Sequence, residues 1–273
     1  MPELYLFLTG IFGGFLAGFL GIGGGILYIF ILPLFLNQFG FEGSELVRYT
    51  IANSIVCTLI ASISGNIAQL RFRRFYKREV LLVGVFGIIA SLATLKLVVF
   101  SDWYSKELFD VFLVTLLVFI LIQTLRRISR KFRFVREVIF DFKKLSLAGL
   151  SGGFIAGATG LGGGAIIVPL LNLGLKMNIK KAKSISLGVL FITSLAISIY
   201  NSLAQPIPNE IPLHLGYIII PVVVPISLGV LLSTPAGVWV SRKSPSFFIS
   251  YIFSGFLFLV ILRKSWEIYH WLI

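Results

Sequence analysis

Three consecutive glycines occur twice in the chain, as Gly23-Gly24-Gly25 and Gly162-Gly163-Gly164. Both triplets sit inside long apolar runs. Each glycine weakens a helix by about 1 kcal/mol, so a break is expected at each triplet. A half-helix restarting at Gly25 or Gly164 presents N–H groups without helical partners and the positive end of its dipole. With no Cβ in the way, a ligand can approach that backbone closely. These are the properties of an anion site built from backbone amides.

Small polar side chains form a second candidate set. Asn53, Ser54, Ser184 and Ser186 stand near the starts of the second and sixth apolar segments. Polar groups within a membrane segment are costly and are functional candidates by default. At an offset of 132 residues, Ser54 matches Ser186 and Ser62 matches Ser194. Positions 54, 58 and 62 share one helix face. For the deeper serines and threonines, interhelical hydrogen bonds of about 0.6 kcal/mol are the plainer expectation. Two histidines, His214 and His270, and one cysteine, Cys57, make neither a catalytic triad nor a zinc site. No enzyme activity, metal, other cofactor or intrachain disulfide is expected.

The triplets end two longer strings, residues 13–25 and 152–164, offset by 139 residues and identical at 9 of 13 positions. An internal repeat fixes architecture before any local signal does. The earlier glycines, Gly14 and Gly18 or Gly153 and Gly157, form GxxxG patterns that let membrane helices pack closely. Residues 160–165 formally fit a dinucleotide-binding G-x-G-x-x-A pattern. No Asp or Glu lies between Asp141 and Glu210 to hold a ribose, and the flanking run is a membrane segment.

Hydrophobic residues make up 57% of the chain, and mean hydropathy is +0.98. Soluble domains hold about 45–50% apolar residues even with glycine counted. The composition therefore predicts an all-α integral membrane protein. Eight apolar segments emerge, at 4–36, 50–70, 80–100, 109–125, 145–175, 184–204, 215–236 and 247–262. Six match one spanning helix of about 20 residues. The first and fifth, which carry the glycine strings, are too long. A continuous helix over 4–36 would run about 50 Å against a hydrocarbon core of about 30 Å. The expected plan is two homologous four-segment halves: a first transmembrane repeat over 1–125, a basic cytoplasmic linker over 126–146, and a second repeat over 147–273.

Charge chooses between two topologies. The net charge of +13 reflects short basic loops rather than nucleic-acid binding. If all eight segments cross, 15 cations fall inside and 8 outside. If the first and fifth re-enter on the side they came from, the division is 19 against 4. The orientation rule favours the second. Each half then has three spans and a re-entrant hairpin, which makes the halves inverted repeats, as in many secondary transporters. The basic loops are cytoplasmic and both termini outside. The first residues lack a positive signal region, so no cleavage is expected. Lys96 is close enough to its segment's outer end to snorkel, and the aromatic tail from Trp266 reads as an interfacial anchor.

The doubled Gly-Phe-x-Ala-Gly-x-x-Gly-x-Gly-Gly-Gly string, followed by an apolar run with Pro33 or Val168-Pro169, resembles the TauE/SafE family of membrane anion exporters. The resemblance covers nearly the whole chain. The family's usual Ala-x-Gly-Thr-Ser pattern after each string is altered at the Gly-Thr pair in both halves, at Ala52-Asn53-Ser54 and at Ser184-Ile185-Ser186. The resemblance implies transport of sulfite or small organosulfonates, often outward. The expected partners are a small anionic substrate and the lipid bilayer of the cell membrane, with a homo-oligomer left open. An anion channel on the same repeat, or a non-transporting scaffold whose glycines only pack helices, are the alternatives.

Overall fold

The computed structural model describes residues 2–70, 76–101, 103–129, 140–206 and 213–272. They form ten α-helices and one short hairpin. The first segment is α1 (Pro2–Leu20) and α2 (Gly25–Leu36). Helices α3 (Gly43–Leu70), α4 (Lys77–Thr94) and α5 (Lys106–Ser129) complete the first half. The second half is α6 (Phe142–Thr159), α7 (Gly164–Pro169), α8 (Ile179–Leu203), α9 (Ile220–Lys243) and α10 (Ser246–Leu272). A two-residue antiparallel pair, His214–Leu215 (β1) with Ile218–Ile219 (β2), precedes α9. Seven described helices are long and apolar enough to span a membrane: the six expected from hydropathy, and α1. Residues 130–139 of the basic linker, Arg71, Arg73, Arg74 and Glu210 lie outside the described residues, as do the side chains beyond Ile268.

Both long segments break at their glycines. Gly21, Gly23 and Gly24 have φ of 76°, 83° and 74°; Gly160, Gly162 and Gly163 have 72°, 79° and 74°. For any other residue that left-handed conformation costs roughly 1–2 kcal/mol. After each break the chain doubles back. A Cβ at Gly24 would lie 2.6 Å from the Gly13 carbonyl oxygen. Continued straight helix would instead carry Gly24 about 16 Å beyond Gly13. Gly163 meets the Gly152 carbonyl in the same way.

The GxxxG stripes pack helices, and they pack them across the halves. Gly10, Gly14 and Gly18 of α1 bring its backbone onto Ile226, Val230 and Thr234 of α9. Gly149, Gly153 and Gly157 of α6 bring that helix onto Val83, Gly87 and Ser91 of α4. Each broken helix thus lies on a span of the other half. Helices α3 and α8 are the most enclosed, each with 72% of its apolar window buried, against 33% for α5. They form the centre, and Asn53, Ser54 and Ser186 face inward, fully buried.

Helix starts differ from the hydropathy limits. Helix α3 begins at Gly43 and α8 at Ile179, where the Asn178 side chain accepts from the Lys180 amide at 2.9 Å. Asn53, Ser54, Ser184 and Ser186 therefore lie well inside their helices, not at the starts. The first turns of both helices carry charges that an apolar window excludes. For the same reason Lys180, Lys181 and Lys183, which the hydropathy limits leave to the preceding loop, belong to α8.

Candidate functional site

The two glycine breaks meet tip to tip. A Cβ at Gly25 would lie 2.6 Å from the Leu161 carbonyl oxygen, and one at Gly164 would lie 2.9 Å from Ile22 Cα. Only glycine permits that approach. Gly23 and Gly162 face the same two side chains, Thr58 of α3 and Leu190 of α8, which are themselves matched at the offset of 132. Thr58 Cγ2 is 2.6 Å from the Cβ position of Gly23 and 2.7 Å from that of Gly162.

Serines tie each tip to the opposite half. Ser54 Oγ donates to the Gly160 carbonyl at 3.0 Å, and Ser186 Oγ donates to the Gly21 carbonyl at 2.9 Å. Both hydroxyls thereby satisfy carbonyls at the C-terminal ends of α6 and α1. The restarting helices α2 and α7 begin at Gly25 and Gly164, whose amides have no intrahelical acceptor. Two buried hydroxyls beside them, Tyr28 Oη and Thr58 Oγ1, make no hydrogen bond among the described residues. Buried polar atoms are ordinarily paired with protein or with bound water or ions, so such orphans need an explanation.

Of the ten residues singled out in the sequence, eight converge here: both glycine triplets, Ser54 and Ser186. Asn53 does not. Its amide nitrogen donates to the Tyr49 and Tyr217 carbonyls at 2.7 and 3.0 Å, and its oxygen accepts from the Ile219 amide at 2.8 Å. With those bonds it pins the β1–β2 hairpin to α3. Ser184 also lies apart, donating to Gln69 Oε1 on the wall of a cavity at the end of the bundle. Sequence reasoning missed Tyr28 and rated Thr58 as packing, although its spacing from Ser54 put both on one face. Tyr28, three residues past the triplet, carries no signal that separates it from its apolar neighbours.

Two cavities flank the centre at opposite ends. One, of about 210 Å³, lies among the C-terminal ends of α1, α3 and α9 and the starts of α4 and α8. Among the described residues its cations are Lys180, Lys181, Lys183 and Arg242. The other, of about 530 Å³, lies between the end of α2, the starts of α3 and α5, and the end of α10. Its wall holds an ion pair, Lys264 to Asp110 at 3.0 Å, which Glu267 extends at 2.8 Å. Asp110 is thus largely buried.

The arrangement is one of two glycine-broken hairpins pinned reciprocally at the centre of a helical membrane bundle. Known proteins resemble it in sequence. The chain is 26% identical over 243 residues to a probable membrane transporter protein of Methanocaldococcus jannaschii, covering 87% of this chain and 86% of that one. It is 26% identical over 269 residues to a probable membrane transporter protein of Haemophilus influenzae, covering 94% and 95%. No solved structure matches it. The sequence profile described as sulfite exporter TauE/SafE matches residues 6–263, and the chain therefore belongs to the TauE/SafE family of membrane transporters.

Proposed function

We propose that this protein carries small oxyanions, sulfite or small organosulfonates, outward across the cell membrane, and that the anion is held near the midplane by the amides of the two glycine breaks. The observation that carries the reading is the pair of orphaned hydroxyls, Tyr28 and Thr58, beside two helix N-termini at the meeting point of the tips. Helix N-termini attract anions through free N–H groups and dipole alike. Non-helical backbone at membrane depth survives only where protein or a watery path covers it.

The halves act as inverted repeats in this reading, with the basic end in the cytoplasm by the orientation rule. The tips are in direct contact, so the anion reaches the amides when the hairpins part. Each hairpin moves together with the span of the other half on which its broken helix packs, and separation of those two units opens the tips from one face at a time. An inside-negative potential favours anion exit by about 2.3 kcal/mol per charge per 100 mV.

Flux in proteoliposomes tests this. Gly24→Leu and Gly163→Leu each drive a side chain into a neighbouring carbonyl and should reduce sulfite or sulfonate efflux at least tenfold. Gly40→Ala is the control: φ there is +81°, but nothing lies within 4 Å of a Cβ, so it adds backbone strain away from the tips. Efflux unchanged in both tip variants, or lost equally in the control, rejects the site.

A further inference from the structure

The basic cavity at the α8 end has no role in the site just described, yet its chemistry is specific. Its walls bring together Lys180, Lys181, Lys183 and Arg242 with the polar side chains of Gln69 and Ser184, and among the described residues no carboxylate lines it. Glu79 pairs with Lys181 from outside at 3.2 Å. Lys180 Nζ donates to the Arg242 carbonyl at 2.8 Å, a neutral oxygen. Lys183 is 5% exposed, and the partners of its ammonium include the Phe19 carbonyl at 2.6 Å and Ser241 Oγ, again neutral oxygens. Neutral acceptors lower the cost of a buried charge without cancelling it. The cavity sits at the N-terminal end of α8, whose dipole adds to the positive potential. At about 210 Å³ it holds about seven waters at ~30 Å³ each, below the range of about 300–1,000 Å³ typical of drug-sized ligands. It suits a small hydrated ion.

We infer that this cavity is a loading station for small oxyanions, in which Lys183 gives up its hydrogen bond to the Phe19 carbonyl and takes the anion instead. The inference rests on the transport reading and adds a second binding position with its own residues. Lys183 connects the two positions. Its Cβ lies 2.8 Å from the Cβ position of Gly21, and the carbonyl it holds is two residues before that break. While the ammonium caps Phe19, the last turn of α1 is pinned beside the tip. Once an anion draws the ammonium into the cavity, that turn is released next to the flexible glycines. Occupancy at the end of the bundle thereby loosens the hairpin that must move. Dianions bind more tightly than monoanions of similar size, because each further charge adds its own attraction to the same cations.

The test is anion binding to the purified full chain, by calorimetry at constant ionic strength, with sulfate and methanesulfonate as probes of similar size and different charge. Wild type should bind sulfate at least fivefold more tightly. Lys183→Gln keeps a donor for Phe19 and removes the charge. The double variant Lys180→Gln/Arg242→Gln removes two cations at the mouth and leaves Lys183 in place. Each should weaken sulfate binding at least tenfold, whereas Arg263→Gln, on the last span toward the opposite end, should leave it unchanged. Sulfate affinity within threefold of wild type in both cavity variants overturns the inference, and so does equal affinity for the two probes. Proteoliposome flux separates the two readings. Binding that follows the cavity residues in a protein without anion flux sinks the transport reading alone. Intact flux with binding indifferent to those residues sinks the loading station alone.

Discussion

Ser54 and Ser186 perform the same task for each other's half of the chain. Ser54, on α3, donates to the Gly160 carbonyl at 3.0 Å, and Ser186, on α8, donates to the Gly21 carbonyl at 2.9 Å. Each carbonyl lies at a helix end, where no intrahelical donor remains. Neither half can therefore complete its own break, and the two central helices are joined through the tips they serve.

Removing one hydroxyl leaves one such carbonyl unsatisfied. An unmet buried acceptor costs about 1–3 kcal/mol, although hydrogen bonds between membrane helices average nearer 0.6. Ser54→Ala and Ser186→Ala should each destabilise the detergent-solubilised protein by about 0.5–2 kcal/mol, read as thermal unfolding. The two losses should be similar in size. One serine costing several times the other would break the equivalence.

The glycine stripes give a sharper contrast. A Cβ at Gly153 collides with the backbone of Gly87, and flexible side chains cannot relieve a clash between main chains. Overpacking of this kind costs about 1–3 kcal/mol or more. Gly255, on α10, has nothing within 4 Å of its Cβ position. Gly153→Ala should lower the thermal midpoint, whereas Gly255→Ala should raise it slightly, because alanine favours a helix by about 1 kcal/mol over glycine. Equal effects of both substitutions would remove close packing as the reason for the stripe.

The repeat, the breaks and the spans were legible because each is written in a periodic or compositional signal. The two glycine strings announce the tips, and the matched serines announce what caps them. Asn53 shows where such reasoning ends. An asparagine near the start of an apolar segment reads as a functional candidate, yet its three bonds go to Tyr49, Tyr217 and Ile219, the last two over 160 residues away. Hydropathy sees a segment and not its neighbours. Lys183 was hidden for a related reason: a cation before an apolar run reads as loop, and only the Asn178 cap moves the helix start past it. The pairing of Asp110 with Lys264 joins residues from different halves that no local pattern connects.

That pair carries its own prediction. The Lys264 and Asp110 side chains are 8% and 13% exposed. Truncating one member of a buried ion pair leaves the other charge uncompensated, a loss of about 3–5 kcal/mol. Glu267, 2.8 Å from Lys264, offers a second partner to the lysine but not to the aspartate. Asp110→Asn should therefore be milder than Lys264→Met, which leaves two neighbouring carboxylates with no ammonium between them. The double variant should recover stability relative to Lys264→Met. Thermal unfolding of the three variants against wild type checks the order, and a double variant worse than either single would overturn it.

Thr58 separates stability from transport. Its methyl group wedges between Gly23 and Gly162, while its buried hydroxyl makes no hydrogen bond among the described residues. Thr58→Val keeps the wedge and deletes only the hydroxyl. If that hydroxyl served the fold, the variant would lose stability. An unmet polar group is instead a burden of about 1–3 kcal/mol, so its removal should leave the thermal midpoint unchanged or raise it. An anion seated at the amides of Gly25 and Gly164 would use the same hydroxyl as a donor. Thr58→Val should then slow anion efflux from proteoliposomes several-fold in a protein that is no less stable than wild type. Loss of stability with unchanged efflux would make Thr58 a packing residue and leave the amides without their side-chain partner.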